Sequence, residues 1–234
     1  NADGYISAMH AMAIRRSNKR NNRHANAIAF ICNPNNPTGL LLSRSDVLKI
    51  AKAAEEIQCY LVVDEAFIDF CPDASIIGFA ADHPHLIIVR SMTKFYALAG
   101  IRLGFGVFPL PIARRLQMIR EPWTVNAIAQ IAGYVALQDH GFITKTHRLI
   151  SREKHFLESS FRSRDIDYLP SAANYYLLNI SNAEMIIQSL AQKGILVRSC
   201  NNFRGLGSSY IRIAVRSHAE NTRFLEALTL CRHS

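Results

Sequence analysis

One lysine of this sequence has the surroundings of a nucleophile. Lys94 lies in the segment 91–104 (SMTKFYALAGIRLG), directly after the apolar run 86–89 (LIIV). At the end of a predicted strand, among hydroxyl groups and apolar side chains, a lysine is expected to be partly desolvated, which disfavours its ammonium form. The neutral amine can attack a carbonyl carbon and form a Schiff base. An isolated loop lysine is more often a solvated charge, so this interpretation depends on the residues around it.

Two further polar residues follow predicted strands in the same manner. Asp64 comes directly after the apolar run 60–63 (YLVV), and Asn36 lies in the turn 33–39 (NPNNPTG). Catalytic groups of parallel sheets gather at the carboxyl ends of the strands, so we expect Asn36, Asp64 and Lys94 to lie close together. Taken singly, Asp64 can also be interpreted as the first residue of a helix, and Asn36 as a residue that only forms a turn. Their combination at successive strand ends is what indicates a site.

Pyridoxal phosphate is the biological aldehyde that binds to such a lysine, and the sequence offers a partner for each part of it. The carboxylate of Asp64 would pair with the protonated ring nitrogen, and Asn36 would donate to the phenolic oxygen. The guanidinium of Arg102 and the hydroxyls of Ser91 and Thr93 would donate to the phosphate. A second basic group would suit a substrate that carries both carboxylate and phosphate. Its members are Arg198, Arg204, Arg212 and Arg216.

The elements that must position these residues indicate an α/β fold. The predicted strands of the first half are the runs 27–31, 60–63, 86–89 and 103–107. Ser43, with Asp46 at the third position, predicts the start of a helix whose apolar residues keep a helical period to Ile57. Strands that are apolar on both faces and separated by helices indicate a largely parallel sheet sandwiched by helices.

Beyond about Trp123 the pattern changes to long helices and short strands. Helices are predicted at 126–138 and 143–161, and strands at 175–178, 195–197 and 210–215. Capping boxes at Ser181 with Glu184 and at Ser217 with Glu220 predict two more helices, the first of which stops at Gly194. We therefore predict part of a large domain at 1–125, and connecting helices with a smaller α+β domain at 126–234.

Composition excludes several other classes of protein. The net charge of +9 arises partly from the basic segment 15–24, which is predicted to be a solvated linker rather than a nucleic-acid or acidic-lipid site, because no aromatic residues interleave with its charges. The five cysteines are scattered without a CxxC pair, which favours reduced thiols in the cytoplasm and argues against a metal site. No apolar stretch is long enough to span a membrane, and no signal peptide is visible. The run 61–65 (LVVDE) lacks the GxxxxGK[ST] loop of a nucleotide hydrolase.

Three segments resemble the fold-type-I pyridoxal-phosphate family, which includes the class I and II aminotransferases. They are 33–39, 64–70 (DEAFIDF) and 91–104. Within this family the chain is most similar to the histidinol-phosphate aminotransferase branch, and there to the threonine-phosphate decarboxylases of cobalamin biosynthesis. The narrower similarity depends on Phe67, where the aminotransferases usually carry tyrosine. It also depends on the segments 93–96 (TKFY), 122–126 (PWTVN), 198–200 (RSC) and 210–217 (YIRIAVRS).

The resemblance implies a role for each candidate residue. Lys94 would carry the cofactor, Arg212 would hold the carboxylate or phosphate of the substrate, and Arg216 would be a second anion contact. Asn174 would lie near the substrate, although a turn residue at the start of a strand is an equal interpretation. The family also implies a homodimer that acts on a small phosphorylated amino acid.

The implied reaction is decarboxylation of L-threonine O-3-phosphate to (R)-1-aminopropan-2-yl phosphate. Two alternatives remain open: an aminotransferase of the histidinol-phosphate type, and an inactive truncated remnant. The second alternative arises because family members begin well upstream of Asn1, and their phosphate-cradling loop, stacking aromatic and flexible arm have no counterpart in this sequence. Without those parts, we expect one apolar face and one edge of the sheet to be exposed.

Overall fold

A computed structural model describes residues 1–17 and 27–232 of the chain. The chain divides into two compact units: unit 1 comprises Asn1–Pro34 and Leu41–Gln138, and unit 2 comprises Asn35–Leu40 and Asp139–Ser234. The predicted division after residue 125 differs from these units in two places, because the helix before Asp139 belongs to unit 1 and the short turn Asn35–Leu40 to unit 2. Most of the basic segment 15–24 lies outside the described residues.

Unit 1 consists of a sheet flanked by helices. In the described part its helices are α1 (Ala2–Ser17), α2 (Arg44–Glu56), α3 (Leu110–Ile119) and α4 (Ala127–Gln138). Its strands are β1 (Ala27–Cys32), β2 (Cys59–Asp64), β3 (Leu86–Ser91) and β4 (Gly104–Val107). All four strands coincide with the predicted runs, apart from one or two residues at their ends. The connection from β2 to β3 was expected to be helical and contains the single-turn 3-10 helices Ile68–Phe70, Pro72–Ala74 and Ile77–Phe79.

The order of the strands is β1-β2-β3-β4, and the first three are parallel. Asp64 is aligned with Cys32 on one side and with Val89 on the other, so the carboxyl ends of these strands lie at the same edge. β4 is antiparallel to β3, with Ser91 opposite Gly104. The loop between them contains no helix, and parallel strands need a long crossover connection. The predicted largely parallel sheet is thus confirmed, with β4 as its exception.

The core of unit 1 lies between α2 and the sheet. Ser43 caps α2 as predicted, since its hydroxyl accepts a hydrogen bond from the backbone N–H of Asp46. The buried face of the helix includes Val47 and Ile50. On β1, by contrast, Ile28 is 57% exposed and Phe30 is 72% exposed. The expected exposure of an apolar sheet face is therefore confirmed for β1.

Unit 2 is an α+β assembly with an antiparallel sheet. Its helices are α5 (His140–Ser163), α6 (Ala183–Gln192) and α7 (His218–Arg232), and its strands are β5 (Asp167–Tyr168), β6 (Tyr175–Asn179), β7 (Arg198–Ser199) and β8 (Tyr210–Ala214). The strand order is β5-β6-β8-β7, and every neighbouring pair is antiparallel. Side chains from the sheet and from all three helices form one apolar core. This arrangement confirms the α+β character expected of the second half.

Two local predictions for unit 2 are wrong. The helix α6 begins at Ala183, and its N-cap is Asn182 rather than Ser181, without a side-chain capping bond. Asn182 has a left-handed backbone (φ 56°), a conformation that asparagine tolerates, and this places Ser181 one residue too early. The strand expected at 195–197 lies instead at Arg198–Ser199, where it pairs with β8.

Two other local predictions are confirmed. Gly194 follows the end of α6 with φ +71°, as a helix stop requires. Ser217 and Glu220 form a capping box at the start of α7, with the Ser217 N–H donating to Glu220 Oε2 at 3.3 Å and the Glu220 N–H donating to Ser217 Oγ at 3.4 Å.

The described ranges also bear on membrane and metal binding. None of the helices in residues 1–17 and 27–232 is long and apolar enough to cross a membrane. Over the same ranges, no group of three or more His, Cys, Asp and Glu side chains could hold a metal ion.

Candidate active site

Asp64 lies at the carboxyl end of β2, where the three parallel strands meet. Its backbone carbonyl accepts a hydrogen bond from the N–H of Asn33 at 2.9 Å, and the next residue, Glu65, donates to the carbonyl of Val89 at 2.8 Å. The half-buried side chain accepts a hydrogen bond through Oδ1 from the N–H of Ala66 at 2.9 Å. The strand tip is therefore held by main-chain bonds from both neighbouring strands, and a carboxylate is presented at the edge of the sheet.

Lys94 begins the loop that follows β3, and its side chain is exposed. The expectation that this lysine is desolvated is therefore wrong for the described residues. The residues on either side, Thr93 and Phe95, are buried, so the backbone of the loop packs down while the lysine side chain extends outward. Its Nζ lies 5.9 Å from the centre of the Phe67 ring, within the range of a cation–π contact. Phe67 belongs to the segment that follows Asp64, which links the two candidate residues.

An aromatic cluster packs the Lys94 segment against the Asp64 segment. The rings of Phe70 and Phe95 meet edge to face with centres 5.2 Å apart, and the ring of Tyr96 meets Phe95 in the same way at 5.2 Å. Burial raises the pKa of the Tyr96 hydroxyl, and the negative charge of Asp69 adds to this shift. The structure thus brings Asp64 and Lys94 to one edge of one sheet, as the order of the strands led us to expect.

The predicted phosphate ligands lie in the same unit. The hydroxyls of Ser91 and Thr93 are 2.6 Å apart and bonded to one another. Arg102 is exposed and has a left-handed backbone (φ 61°), and its guanidinium donates to the carbonyl of Ala99 at 3.0 Å. This bond uses one of the five N–H donors of the guanidinium, so the other donors can still bind a phosphate. The role of these three residues stays a prediction.

Asn36 lies in unit 2, where it is bonded to a predicted substrate residue. Arg212, at the centre of β8, donates a hydrogen bond from Nη1 to Asn36 Oδ1. The guanidinium also lies over the ring of Tyr175, 5.0 Å from its centre, and the hydroxyl of Tyr175 donates to the carbonyl of Asn35 at 2.8 Å. With its oxygen engaged by Arg212, the amide of Asn36 has its NH2 group available to donate, which is the role expected of it.

The other predicted substrate residues also belong to unit 2. The carbonyl of Asn174 accepts a hydrogen bond from the N–H of Val215 at 2.8 Å, which fixes it beside the end of β8. Arg216 follows this strand, and its guanidinium contacts the carboxylate of Glu220 at 2.6 Å. The pair holds the pKa of Glu220 at about 2. The sequence analysis placed Glu220 only in a capping box and missed its ion pair with Arg216. The spacing of four residues between the two could have indicated it.

Known proteins are similar to this chain along most of its length. The family model for aminotransferase class I and II matches residues 9–228. A threonine-phosphate decarboxylase of Salmonella typhimurium is 42% identical over 203 residues, which cover 85% of this chain and 56% of that protein. A histidinol-phosphate aminotransferase of Archaeoglobus fulgidus is 37% identical over 202 residues, or 86% of this chain and 57% of that protein. The chain therefore spans little more than half the length of these relatives.

A solved structure supports the fold independently. The histidinol-phosphate aminotransferase from Clostridium acetobutylicum is similar with a TM-score of 0.84 and 33% sequence identity, covering 88% of this chain and 64% of that one. The α/β fold with a mixed sheet flanked by helices is therefore shared with these enzymes.

Proposed function

The chain belongs to the aminotransferase class I and II family, and from this membership we propose that it acts in the pyridoxal-phosphate-dependent decarboxylation of L-threonine O-3-phosphate to (R)-1-aminopropan-2-yl phosphate. The observation that carries the proposal is the 42% identity to the Salmonella decarboxylase over 85% of the chain. Phe67, which faces Lys94 where the aminotransferases usually have tyrosine, supports the same choice.

The predicted cofactor residues of the two units are of the types that pyridoxal phosphate needs. Asp64 uses Oδ1 for a local backbone bond, and no described residue donates to its Oδ2, which can therefore accept the ring N–H. Lys94 presents an exposed amine for the aldehyde, and the Ser91 and Thr93 hydroxyls, now bonded to each other, can turn toward a phosphate. Asn36 retains an amide donor for the phenolic oxygen. The donor set thus fits the cofactor in charge and in hydrogen-bonding type.

We assign the steps of the reaction to these residues. When bound, pyridoxal phosphate supplies a protonated ring that accepts the electron pair of the bond broken at the substrate's Cα. Asp64 keeps the proton on the ring nitrogen by pairing with it. Lys94 is the residue that can return a proton to Cα after CO2 has left.

Arginines provide the recognition of the substrate in this proposal. Arg212, fixed by Asn36 and Tyr175, presents a guanidinium whose planar donors match a carboxylate or a phosphate. Arg216 would be a second contact, with Asn174 near the substrate. Binding of the phosphate, remote from the breaking bond, supplies energy that holds the Cα–carboxylate bond perpendicular to the ring.

We further propose that the protein is a cytoplasmic homodimer in cobalamin biosynthesis, with neither nucleic acid nor membrane as a partner.

An aminotransferase of the histidinol-phosphate type is the second candidate, because such relatives are nearly as similar at 37% identity. The same lysine would then move a proton from Cα to the cofactor.

The first experiment tests cofactor attachment. Pyridoxal phosphate is added to the protein, and the visible absorbance of a lysine-bound cofactor is recorded in the parent, in Lys94→Ala and in Lys49→Ala. Lys49 is a matched control because it is an exposed lysine of α2 in the same unit. A band in the parent and in Lys49→Ala that is lost in Lys94→Ala supports the proposed enzyme, and absence of a band in the parent contradicts it.

The second experiment separates the two reactions. The protein with cofactor is incubated with L-threonine O-3-phosphate, and CO2 is measured. A parallel sample receives histidinol phosphate and 2-oxoglutarate, and glutamate is measured. Release of CO2 that requires Lys94 supports the decarboxylase, whereas glutamate without CO2 contradicts it and favours the aminotransferase.

A further inference from the structure

A buried carboxylate directly follows Asp64 and has no part in the proposed chemistry. Glu65 is 1% exposed. Its Oε1 accepts a hydrogen bond from the N–H of Ile76 at 2.9 Å, and its Oε2 accepts one from the hydroxyl of Ser75 at 2.8 Å. A buried charge is tolerated only where it is paired and hydrogen-bonded. Glu65 therefore requires a cation nearby.

Arg90 of β3 supplies that cation. Its Nε donates to Glu65 Oε2 at 3.0 Å, and its Nη2 lies 2.9 Å from the same oxygen. Nη1 contacts Asp69 Oδ1 at 3.3 Å, and Nη2 donates to the Ser75 hydroxyl at 2.6 Å. One guanidinium thus joins three residues of the segment that connects β2 to β3. All of these side chains are largely buried, with 15% of Arg90, 2% of Glu65 and 13% of Asp69 exposed.

Glu65 and Arg90 both lie between Asp64 and Lys94 in the sequence, on the neighbouring strands β2 and β3 or directly after them. Glu65 follows Asp64, and Arg90 precedes the segment that carries Lys94. Asp64 is aligned with Val89, and successive residues of a strand point to opposite faces of a sheet. Asp64 and Val89 therefore share one face, while Glu65 and Arg90 meet on the other. A residue on the opposite face does not touch a cofactor bound by Asp64, so its effect must pass through the backbone.

The same network also restrains Phe67. This residue lies between Glu65 and Asp69, both of which contact Arg90, and its own ring is buried and faces Lys94 Nζ at 5.9 Å. If the guanidinium were lost, the segment would lose an ion pair on each side of Phe67, although Glu65 would keep its bonds from Ser75 and Ile76. The ring beside the lysine would then be held less firmly.

We propose that Arg90 is a positioning residue, whose ion pairs with Glu65 and Asp69 set Asp64 and Phe67 at the spacing from Lys94 that cofactor attachment requires. The inference rests on the proposed cofactor roles of Asp64 and Lys94. It differs from a purely structural role, in which Arg90 would matter for stability and leave the attached cofactor unchanged.

The test compares variants of Arg90 with a destabilised control. Arg90→Lys keeps the positive charge, but an ammonium lacks the planar fork that contacts three partners at once. Asp69→Asn removes the charge of only one contact and leaves the buried pair with Glu65 in place. Asn221→Ala, in unit 2, removes a hydrogen bond to another buried carboxylate and provides a loss of stability at a residue with no proposed role toward the cofactor. Thermal unfolding of each variant shows that the measurements are made on folded protein.

Two properties of the attached cofactor are measured: the apparent affinity for pyridoxal phosphate, and the pH midpoint of the visible band. Borohydride reduction followed by peptide mass spectrometry confirms that the label is on Lys94. We expect Arg90→Lys to weaken the apparent affinity by about tenfold to a hundredfold, as misplacement of a site by its supporting residues does. We also expect it to shift the pH midpoint, and Asp69→Asn to produce smaller changes in the same direction. Asn221→Ala should keep both properties of the parent.

The outcomes separate this inference from the proposed function. A band in the parent that depends on Lys94, together with parental affinity and pH midpoint in Arg90→Lys, would overturn the positioning role. If Arg90→Lys does not fold, Asp69→Asn decides in the same way. Equal changes in the Asn221→Ala control would also overturn it, because they would follow from stability alone. A parent without a Lys94-dependent band contradicts the proposed function itself.

Discussion

Replacing Asn221 tests how unit 2 holds a buried carboxylate. Asn221 of α7 is 3% exposed, and its Nδ2 donates to Glu153 Oε2 at 3.1 Å and to the carbonyl of Arg216 at 2.9 Å. Its Oδ1 accepts from the N–H of Arg216 at 3.0 Å. Glu153 of α5 is fully buried and also bonded to Arg152 and His218. One amide thus joins two helices and fixes the backbone of a proposed substrate residue.

The expected loss of stability in Asn221→Ala follows from these hydrogen bonds. A hydrogen bond to a charged group contributes roughly 1.5–3 kcal/mol, and one between neutral groups roughly 0.5–1.5 kcal/mol. Water can replace part of the two bonds to Arg216, which is exposed, but not the bond to the buried Glu153. We therefore expect Asn221→Ala to lower the free energy of unfolding by about 3 kcal/mol at pH 7.

An isosteric variant sharpens the test. Asn221→Asp keeps the shape and the bond from the Arg216 N–H, but it places a second carboxylate against Glu153. At pH 7 we expect it to be less stable than Asn221→Ala by about 2 kcal/mol, because like charges in a buried site repel. Adding Glu153→Gln supplies an amide donor in the reverse direction and should recover about half of this loss.

The dependence on pH gives a second check of the same reasoning. Burial alone would raise the pKa of Glu153, but hydrogen bonds from Asn221, Arg152 and His218 outweigh it, and the pKa is lowered from 4.5. The stability that the ionised carboxylate contributes is therefore complete above pH 4.5 and is lost as the pH falls through the lower folded value. Asn221→Ala removes one of these donors, so the difference in the free energy of unfolding between this variant and the parent should become smaller in acid.

Urea unfolding at pH 7 and in acid, with hydrogen exchange of α7 peptides to locate the loss in unit 2, measures these differences. Two results would refute the reasoning. One is a loss below about 1 kcal/mol for Asn221→Ala, which is the size of an ordinary neutral bond. The other is an Asn221→Asp variant that Glu153→Gln does not improve.

Two further predictions concern a substrate contact and a turn. In Glu220→Gln, Arg216 loses its carboxylate partner and should bind an anionic substrate more tightly. The gain should be no more than about fivefold, because an exposed ion pair contributes about 1 kcal/mol or less. The KM for threonine phosphate measures this gain, and a higher KM in the variant would contradict the prediction. Gly39→Ala should destabilise the turn 35–40, because φ is +74° and the new Cβ would lie 2.1 Å from Ser171 Oγ. Thermal unfolding should show a loss that adding Ser171→Gly recovers only in part, since the backbone strain remains, and full recovery would contradict this account.

The elements of both units were largely accessible from local patterns. Ser43 and Ser217 were correctly identified as caps, because each needs only an acceptor at the start of a helix and a partner three residues later. Ser181 has the same spacing, yet the helix begins one residue later than this pattern predicts. The left-handed backbone of Asn182 accompanies this difference, and the spacing of Ser181 and Glu184 carries no information about that conformation.

The candidate site shows the same division between local and distant causes. Asp64 and Lys94 were expected at one sheet edge, because strand order and parallel pairing follow from the alternation of runs and helices. The bond from Arg212 to Asn36 joins residues far apart in sequence and left no pattern to find. The ion pair of Glu65 with Arg90 could have been suspected from an arginine inside an otherwise apolar strand. The exposure of Lys94 could not, because burial depends on which other segments cover a loop.

Runs of apolar residues, caps and turns report on the nearest few residues. These were enough to predict the strands of unit 1, β6 and β8 of unit 2, most helices, and the sheet edge where Asp64 and Lys94 lie. Folding in three dimensions decided which charges meet, as with Arg90 and Glu65, and which strand runs antiparallel, as with β4. The physical reason is that periodicity is a property of a segment, whereas burial and charge pairing belong to the contacts between segments.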